Sequence, residues 1–185
     1  HLVPYGAPPQ DRLRENLQET VTQRIDRATG AAMSLLLNRG NMREHLGADL
    51  GTSSWLLIDQ ARIDTFADCT LDHQFIHVDS VKAAQTPFGG TIAHGFLSLS
   101  LLTHFAGTVG CGFENAVMGI NYGFDRVRFL TPVKVDSRIR ARARLLDVQE
   151  KSPGQFLIKQ EVSLEIEGEP KPALIAEWLT MAITA

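Results

Sequence analysis

Side chains that could transfer protons stand close together in residues 66–102, a stretch that is otherwise apolar and interrupted by glycines. Asp72 and His77 are five residues apart and could act as an acid and base pair on a water molecule. His94 and Gly95 then open a strongly apolar helical segment, where the free N–H groups of a helix start could bind a negatively charged oxygen. These residues predict general acid and base catalysis beside an anion-binding helix start.

The same residues form two sequence motifs at a defined separation. Residues 72–77 read DHQFIH and residues 88–95 read FGGTIAHG. Together they resemble the hydratase motif of the MaoC-like family, the (R)-specific enoyl-CoA hydratases and dehydratases, which reads D-x-N-P-[IL]-H followed by F-G-x-x-[IV]-x-H-G. Gln74 and Phe75 replace the Asn-Pro of the common motif, as in the NodN-like branch, and the two ionisable residues are unchanged. The resemblance extends over roughly residues 50–185.

This resemblance implies a reaction and three catalytic residues. Enzymes of the family add water reversibly to a trans-2-enoyl-CoA and form the (R)-3-hydroxyacyl thioester, and no cofactor is implied. The addition needs a base for water, an acid for the α-carbon and a donor for the enolate oxygen. By analogy with the family, Asp72 and His77 would hold the water and the Gly95 N–H would hold the thioester carbonyl. A glycine suits that position because the ligand must approach the backbone closely.

Three further positions correspond to substrate-binding residues of the family. Thr103, with Ser98 and Ser100 nearby, stands where family members often carry a helix serine close to the water. The alternative for Thr103 is a hydrogen bond to a carbonyl of its own helix. Arg126 and Arg128 lie on a strand expected to run near the CoA, so their guanidinium groups are candidates for its phosphates. An ordinary charged strand edge is the alternative for both arginines.

A metal site is a further possibility, because His73, His77 and Asp79 are potential ligands and the two histidines have i, i+4 spacing. That spacing brings them together only on a helix, whereas the aromatic and β-branched residues of this segment favour extended structure. No glutamate follows His73 as the helical zinc motif requires. We therefore expect no metal here, and we expect His94 to fix the loop rather than to transfer protons.

Two other functions fit parts of the sequence. A thioesterase of the same family of folds would need an acidic residue on the central helix, and none occurs between Phe96 and Gly112. A non-catalytic acyl-CoA binding module would keep a substrate pocket but would not need the pair of Asp72 and His77. The hydratase is the favoured prediction, and both alternatives stay open.

The elements that must position these residues can be predicted from hydrophobic periodicity. Residues 93–108 are apolar on nearly every side and predict a buried helix, and residues 72–77 are expected in a loop before it. Asp59 is a suitable N-cap for a helix over 59–68. Strands are predicted at 55–58, 117–122, 127–135, 137–147, 156–167 and 174–184. A mainly antiparallel sheet wrapped around one central helix is an α+β architecture, the hot-dog fold, which the family resemblance also implies.

Alternation of charged and apolar residues predicts a hairpin between two of these strands. The first strand alternates apolar residues with four arginines, Arg138, Arg140, Arg142 and Arg144. Glutamates stand on one face of the second strand, 158–167. We expect the arginines to pair with these glutamates on a solvated face, each exposed pair contributing about 0.2–1 kcal/mol. Phosphate binding by one of the arginines is the alternative.

An extension precedes the domain that carries the motifs. Apolar residues recur at three- and four-residue spacing over 11–39 and predict a long amphipathic helix. Glycines and polar turn formers then mark a boundary near residue 48. The sequence therefore predicts an N-terminal helical extension, residues 1–48, followed by the hot-dog domain, residues 49–185.

Composition limits the partners and the compartment. Lys and Arg number 18 against 21 Asp and Glu, and most are spread along the chain, which argues against binding to nucleic acid. No apolar run approaches the roughly 20 residues of a membrane helix, and two cysteines without metal-site spacing fit a reducing cytoplasm.

A single hot-dog sheet leaves one edge uncovered, and family members build their site from two neighbouring subunits. We therefore expect a homodimer.

Overall fold

The computed structural model describes residues 35–185. Its elements in chain order are β1 (Leu35–Leu37), β2 (Asp49–Thr52), β3 (Leu56–Ile58), α1 (Gln60–Thr70), α2 (Phe75–Val78), α3 (Ser80–Ala83), α4 (Gly95–Ser100), α5 (Leu102–Phe105), β4 (Cys111–Phe113), β5 (Ala116–Phe129), β6 (Ser137–Ser152), β7 (Gln155–Ile166) and β8 (Leu174–Thr184). Within this described range, the helices are all too short or too polar to cross a bilayer. Short helices and the loops between them thus carry the motif residues, and long strands follow them.

An antiparallel sheet of six strands forms most of the structure. Its strand order is β2-β6-β7-β8-β5, and β3 also pairs with β6. β1 and β4 form a separate parallel pair. Within residues 35–185, β5 pairs in this sheet with β8 alone, so its other edge is unpaired there.

One face of the sheet packs against the central helical segment. Every second residue of β7 is buried, as expected for a strand with one covered face. These side chains join Leu97, Leu102 and Phe105 of α4 and α5 in one hydrophobic cluster. The predicted hot-dog fold is confirmed, with the antiparallel sheet packed against a central helix.

The central helix is shorter than predicted and is covered on one side. It begins at Gly95 rather than Ala93, and Leu101 interrupts it between α4 and α5. Leu97 is buried, but Phe96 is 69% exposed. The prediction of a helix buried on every side is therefore wrong for the single chain, because the sheet covers only the face turned towards it.

The strand β5 replaces two predicted strands, 117–122 and 127–135. It is continuous through the residues between them and ends before Pro132. Gly123, with φ 156°, lies at one of the register shifts between β5 and β8, so bulges absorb the residues that interrupt the hydrophobic alternation. The second predicted strand is wrong around Pro132, which has no N–H to donate to a strand ladder.

The segment of the predicted Asp–His pair is partly helical. Residues 71–74 lie outside regular structure, as expected, but Phe75–Val78 forms the single turn α2. The Asp79 N–H donates to the Phe75 carbonyl and closes this turn. The prediction of a loop through His77 is wrong there, because contacts with distant segments override the weak β preference of four residues.

The predicted hairpin and its charged face are confirmed. β6 and β7 pair antiparallel over most of their length. The ion pairs of this face are Arg138–Glu167, Arg140–Glu165, Arg144–Glu161 and, to β2 instead of β7, Arg142–Asp49. Because each of these arginines has a carboxylate partner, the face offers no unpaired guanidinium to a phosphate.

The N-terminal prediction can be compared only in part. Residues 1–34 lie outside the described residues, and with them most of the helix predicted over 11–39. Its last residues are not helical, because Leu35–Leu37 forms β1 and pairs with β4. Leu37 is completely buried. Three consecutive leucines fit a buried strand as well as a helix, which is why this end of the prediction is wrong. The division between extension and domain stays a prediction.

Candidate active site

The loop after α1 carries Asp72, the first of the predicted catalytic residues. α1 is capped as predicted by the Asp59 side chain, which accepts from the Arg62 N–H, and it ends at Leu71 in the left-handed conformation, φ 61°. The Asp72 side chain that follows is 54% exposed. Its carboxylate accepts a long hydrogen bond, 3.4 Å, from the Gln74 N–H. Asp72 is thus held loosely by its own loop and is open to solvent.

His77 on α2 is buried, and its contacts fix its tautomer. Nδ1 lies 2.6 Å from the carbonyl oxygen of Ile92, so Nδ1 carries the proton and donates it. Nε2 therefore has a lone pair that can accept a proton. The main-chain carbonyl of His77 accepts from the Gln60 side chain at 2.8 Å, and the Gln60 oxygen accepts from the Thr91 hydroxyl at 2.5 Å. Two distant segments thus hold both the ring and the backbone of His77.

The surroundings of His77 favour its neutral form. Burial is the largest effect and lowers the pKa of His77 below its ordinary value, because a charged ring loses hydration there. The hydrogen bond to the Ile92 carbonyl and the charge of Asp72 raise the pKa of His77, while His94 lowers it. The lowering prevails, so His77 is a neutral base near pH 7.

His94, the residue before α4, joins the loop of Asp72 to the helix of His77. Its ring stacks on the His77 ring with the centroids 3.7 Å apart and the planes inclined by 24°. Its Nε2 lies 2.9 Å from the main-chain oxygen of Asp72 and 4.0 Å from the carboxylate. These contacts agree with the expectation that His94 fixes the loop.

Gly95 begins α4 and lines a cavity of about 240 Å³ together with His77. Its N–H belongs to the first turn, where N–H groups have no partner within the helix, and it has no hydrogen-bond partner among residues 35–185. The Phe129 ring packs closely against it, so a Cβ at this position would lie 3.1 Å from a ring atom. Close approach of Phe129 explains why glycine suits this position.

Thr103 lies at a second cavity, of about 470 Å³, and not at the cavity of His77 and Gly95. Its hydroxyl donates to the carbonyl of Ser100 at 2.8 Å, which is the alternative to a substrate role. Ser98 is buried and lines the cavity of His77 instead. Helical periodicity is the signal that could have indicated Ser98, since it follows Gly95 by one turn.

Arg126 and Arg128 are exposed residues of β5. Arg126 lies 4.0 Å from Glu177, a carboxylate that Lys159 approaches more closely, at 2.6 Å. The Arg128 guanidinium donates to the carbonyl of Val127. Neither arginine lines the 240 Å³ cavity, and both are accessible to an anionic ligand.

Asp72, His77 and His94 are also close enough together for a cation, since one ligand atom from each lies within 4.8 Å of the others. The other ligands suggested by the sequence lie elsewhere, because His73 binds an aspartate of α1 and Asp79 caps α3. One nitrogen of each ring is already engaged by a main-chain carbonyl, Nδ1 of His77 by Ile92 and Nε2 of His94 by Asp72. We therefore interpret Asp72 and His77 as a proton-transfer pair that contacts His94.

The fold and the site define a class of protein, a hot-dog domain whose central helix begins beside a paired aspartate and histidine. Comparison with known protein families identifies the family of this chain. The family model of the MaoC like domain matches residues 41–166. The chain belongs to the MaoC-like dehydratase family.

Named relatives agree with this assignment. The chain is 48% identical over 148 residues to Nodulation protein N of Rhizobium leguminosarum bv. viciae, covering 78% of this chain and 91% of that protein. It is 44% identical over 134 residues to 3-hydroxyacyl-thioester dehydratase Z of Mycobacterium tuberculosis, covering 71% and 86%. An R-hydratase of Pseudomonas aeruginosa, solved without ligand, has the same fold with a TM-score of 0.60 at 24% identity, covering 76% of this chain and 83% of that one.

Proposed function

We propose that this protein is a hydro-lyase that adds water reversibly to a trans-2-enoyl-CoA and forms the (R)-3-hydroxyacyl thioester. One observation carries the proposal, the convergence of Asp72, His77 and Gly95. Asp72 and His77 have ligand atoms within 4.8 Å of each other, and His77 and Gly95 line one cavity. Membership of a dehydratase family supports the class of reaction.

Asp72 and His77 would activate the water together. The Nε2 lone pair of His77 and the Asp72 carboxylate are both acceptors, so a water between them would have each hydrogen directed to one of them. As the water oxygen bonds to C3 of the enoyl group, its proton passes to the pair, and a proton passes from the pair to C2. The pair therefore ends the addition in its starting protonation state.

Gly95 would stabilise the charge that builds up on the thioester oxygen. Its N–H has no acceptor among the described residues and borders the cavity of His77. Apolar residues such as Phe129, Pro132 and Val133 make up much of the cavity lining. A hydrogen bond to a developing anion is stronger in such surroundings than in water.

The larger cavity suits the acyl tail of the substrate. It measures about 470 Å³ and is lined mainly by apolar side chains, among them Met118, Ile120 and Trp178. Gly95 and Thr103 are eight residues apart on the central helical segment, roughly 12 Å at the rise of an α-helix. A tail that runs from Gly95 along this segment would reach Thr103, which gives Thr103 a substrate-binding role away from the water.

The CoA end of the substrate would be held by Arg126 and Arg128. Both guanidinium groups are exposed, and the closer partner of Glu177 is Lys159 rather than Arg126. Guanidinium groups bind phosphate oxygens through several donors at once. We assign the phosphates of CoA to these two arginines.

The finer details of the substrate rest on likeness to named proteins. The Mycobacterium tuberculosis relative is named a 3-hydroxyacyl-thioester dehydratase, and the Pseudomonas aeruginosa structure is an R-hydratase. We carry the thioester and the R configuration over from them. The proposed enzyme is a homodimer, because within residues 35–185 one edge of the apolar strand β5 is unpaired. We propose that it acts in the cytoplasm, which suits the free Cys69 and Cys111.

The test is to mix purified protein with crotonyl-CoA and to follow the enoyl absorbance together with the release of free thiol. Loss of absorbance without thiol is the expected result. Thiol release would indicate a thioesterase, and binding without either change would indicate an acyl-CoA binding module. Supplying the (R)- and (S)-3-hydroxyacyl-CoA separately tests the configuration, and only the R compound should regain enoyl absorbance.

A further inference from the structure

His94 contacts both residues that we assign to water activation. It is 3% exposed, its ring lies 3.7 Å from the His77 ring, and its Nε2 lies 2.9 Å from the Asp72 carbonyl oxygen. Asp72 and His77 belong to different elements, a loop and the helix α2. A single buried ring therefore ties together the two halves of the pair.

The bond to Asp72 fixes the tautomer of His94. A carbonyl oxygen can only accept, so Nε2 of His94 carries the proton and Nδ1 has a lone pair. That Nδ1 is buried and has no hydrogen-bond partner among the described residues. His77 carries its proton on Nδ1 instead, so the two stacked rings have opposite tautomers.

The unpartnered Nδ1 of His94 lowers stability, since a buried polar atom has lost its bonds to water. A phenyl ring of similar size would fill the same space without this loss. Packing alone therefore does not explain a histidine here. What the imidazole adds over a phenyl ring is the hydrogen bond to Asp72.

We propose that His94 is a positioning residue for hydration, which sets the separation and relative orientation of the Asp72 carboxylate and His77 Nε2. This inference rests on the proposed function. Asp72 needs such support because its half-exposed carboxylate has a bond of 3.4 Å to the Gln74 N–H. His77 has one ring hydrogen bond among the described residues, to the Ile92 carbonyl, and the His94 ring packs against its face.

The same contacts argue against proton transfer by His94 itself. Its Nε2 proton is engaged by the main chain of Asp72, and its Nδ1 is shielded from solvent. The ring does not line the 240 Å³ cavity beside Gly95. His94 therefore acts through its neighbours and does not touch the substrate.

Two substitutions separate the ring from the hydrogen bond. His94→Phe keeps an aromatic ring against His77 but removes the donor to Asp72, whereas His94→Gln keeps a donor and removes the ring. We expect kcat for crotonyl-CoA to fall on the order of 10- to 100-fold in His94→Phe with KM changed by less than about threefold, because small misplacements of catalytic groups act on the chemical step. His94→Gln should be faster than His94→Phe.

The matched control is His104→Phe, which changes an exposed histidine of α5 that packs on Phe105. It should hydrate at the wild-type rate. When His94→Phe is added to Asp72→Asn, kcat should fall little below that of Asp72→Asn alone, since the effect of His94 passes through Asp72. An equal further loss in that background would overturn the proposal. So would a wild-type kcat in His94→Phe, a His94→Gln variant no faster than it, or a loss that only tracks the unfolded fraction by circular dichroism.

A second measurement does not depend on activity. NMR of the ring nitrogens reports which one is protonated, and we expect Nδ1–H in His77 and Nε2–H in His94 at neutral pH. His94→Phe should shift the His77 signals, and His104→Phe should leave them unchanged. A wild-type protein that shows both tautomers but hydrates no enoyl thioester would refute the proposed function and keep the geometry. A protein that hydrates but has the same tautomer in both rings would refute the positioning role.

Discussion

At Asp72 and His77, a buried base lies beside a solvated carboxylate. His77 is 6% exposed, whereas the Asp72 side chain is 54% exposed. Burial lowers the pKa of His77, so its Nε2 is free to accept a proton near pH 7. The exposure of Asp72 gives water a route to the pair. A buried base beside an exposed carboxylate suits a site that must admit water and then take a proton from it.

The lowered pKa of His77 predicts a pH dependence of stability. The unfolded chain binds this proton at a higher pH than the folded chain, so the contribution of neutral His77 is complete above about pH 6.5 and is lost as the pH falls through the lower folded pKa. Urea denaturation at about pH 7.5 and about pH 5 measures this loss. His77→Asn is the reference, because its amide can donate to the Ile92 carbonyl without titrating. Equal losses in both proteins would contradict the prediction.

A substitution at Gly95 tests whether the start of α4 tolerates a side chain beside the cavity. In Gly95→Ala the new Cβ would lie 3.1 Å from the Phe129 ring, so the ring must move into the cavity or outward. We expect the protein to fold and kcat for crotonyl-CoA to fall on the order of 10-fold or more. Gly90→Ala is the matched control, since a Cβ there meets no atom within 4 Å. If both variants hydrate equally fast, Gly95 has no special role.

The residues of the site could be predicted only where they form a motif. Asp72, His77 and Gly95 stand at fixed spacings that carry chemical meaning. The Gln60 side chain donates a hydrogen bond to the His77 carbonyl, 17 residues away. The Thr91 hydroxyl in turn donates to the Gln60 side chain, 31 residues away, and so supports it. A glutamine at a helix start and a threonine in a loop carry no such signal, because their partners are set by the fold.

Among the elements, the last two strands could be predicted closely, whereas the bulged strand β5 and the short helices could not. β7 and β8 have 12 and 11 residues, long enough for apolar alternation to show, and the structure places their ends within one residue of the prediction. α2 has four residues, too few for any periodicity. Its helical turn depends on contacts with α1 and with the segment before α4, which a local pattern cannot report.

The helix α1 links its own stability to the position of His77, because its first residue, Gln60, holds the His77 carbonyl. Asp59→Ala removes the side chain that caps α1 by accepting from the Arg62 N–H. We expect the free energy of unfolding to fall by about 0.5–2 kcal/mol, measured by urea denaturation. Asp59→Asn keeps a capping oxygen and should stay within about 0.5 kcal/mol of the wild type. An Asp59→Ala protein as stable as Asp59→Asn would show that the cap contributes nothing.

On the scale of the whole molecule, one long apolar strand is exposed within residues 35–185. The exposed apolar residues in and just after β5 are Val117, Met118, Ile120, Tyr122, Phe124, Phe129 and Leu130. Phe96 of α4, also exposed, packs edge-on against Phe129 with the ring centroids 6.0 Å apart. An edge strand this long and apolar attracts another chain unless it is covered. A second copy related by a two-fold axis would cover both strands at once.

We therefore expect a homodimer that forms through β5. Met118→Lys combined with Ile120→Lys should convert it to a monomer in sedimentation velocity, because each lysine would place a charge in the buried contact. Val81→Lys is the matched control, since Val81 is 72% exposed on α3 and lies outside β5. A wild-type protein that is a fully active monomer at micromolar concentration would refute the dimer.

The most direct test of the central claim is the rate of crotonyl-CoA hydration by Asp72→Asn, His77→Ala and the double variant. Asp72 lies in the loop after α1, and His77 lies on the single helical turn α2 that follows it. Each single variant should fold yet lose on the order of 10²- to 10⁴-fold in kcat. Because both act on one water, the double variant should be scarcely slower than the slower single variant. A folded Asp72→Asn protein that hydrates crotonyl-CoA at close to the wild-type rate would contradict the account.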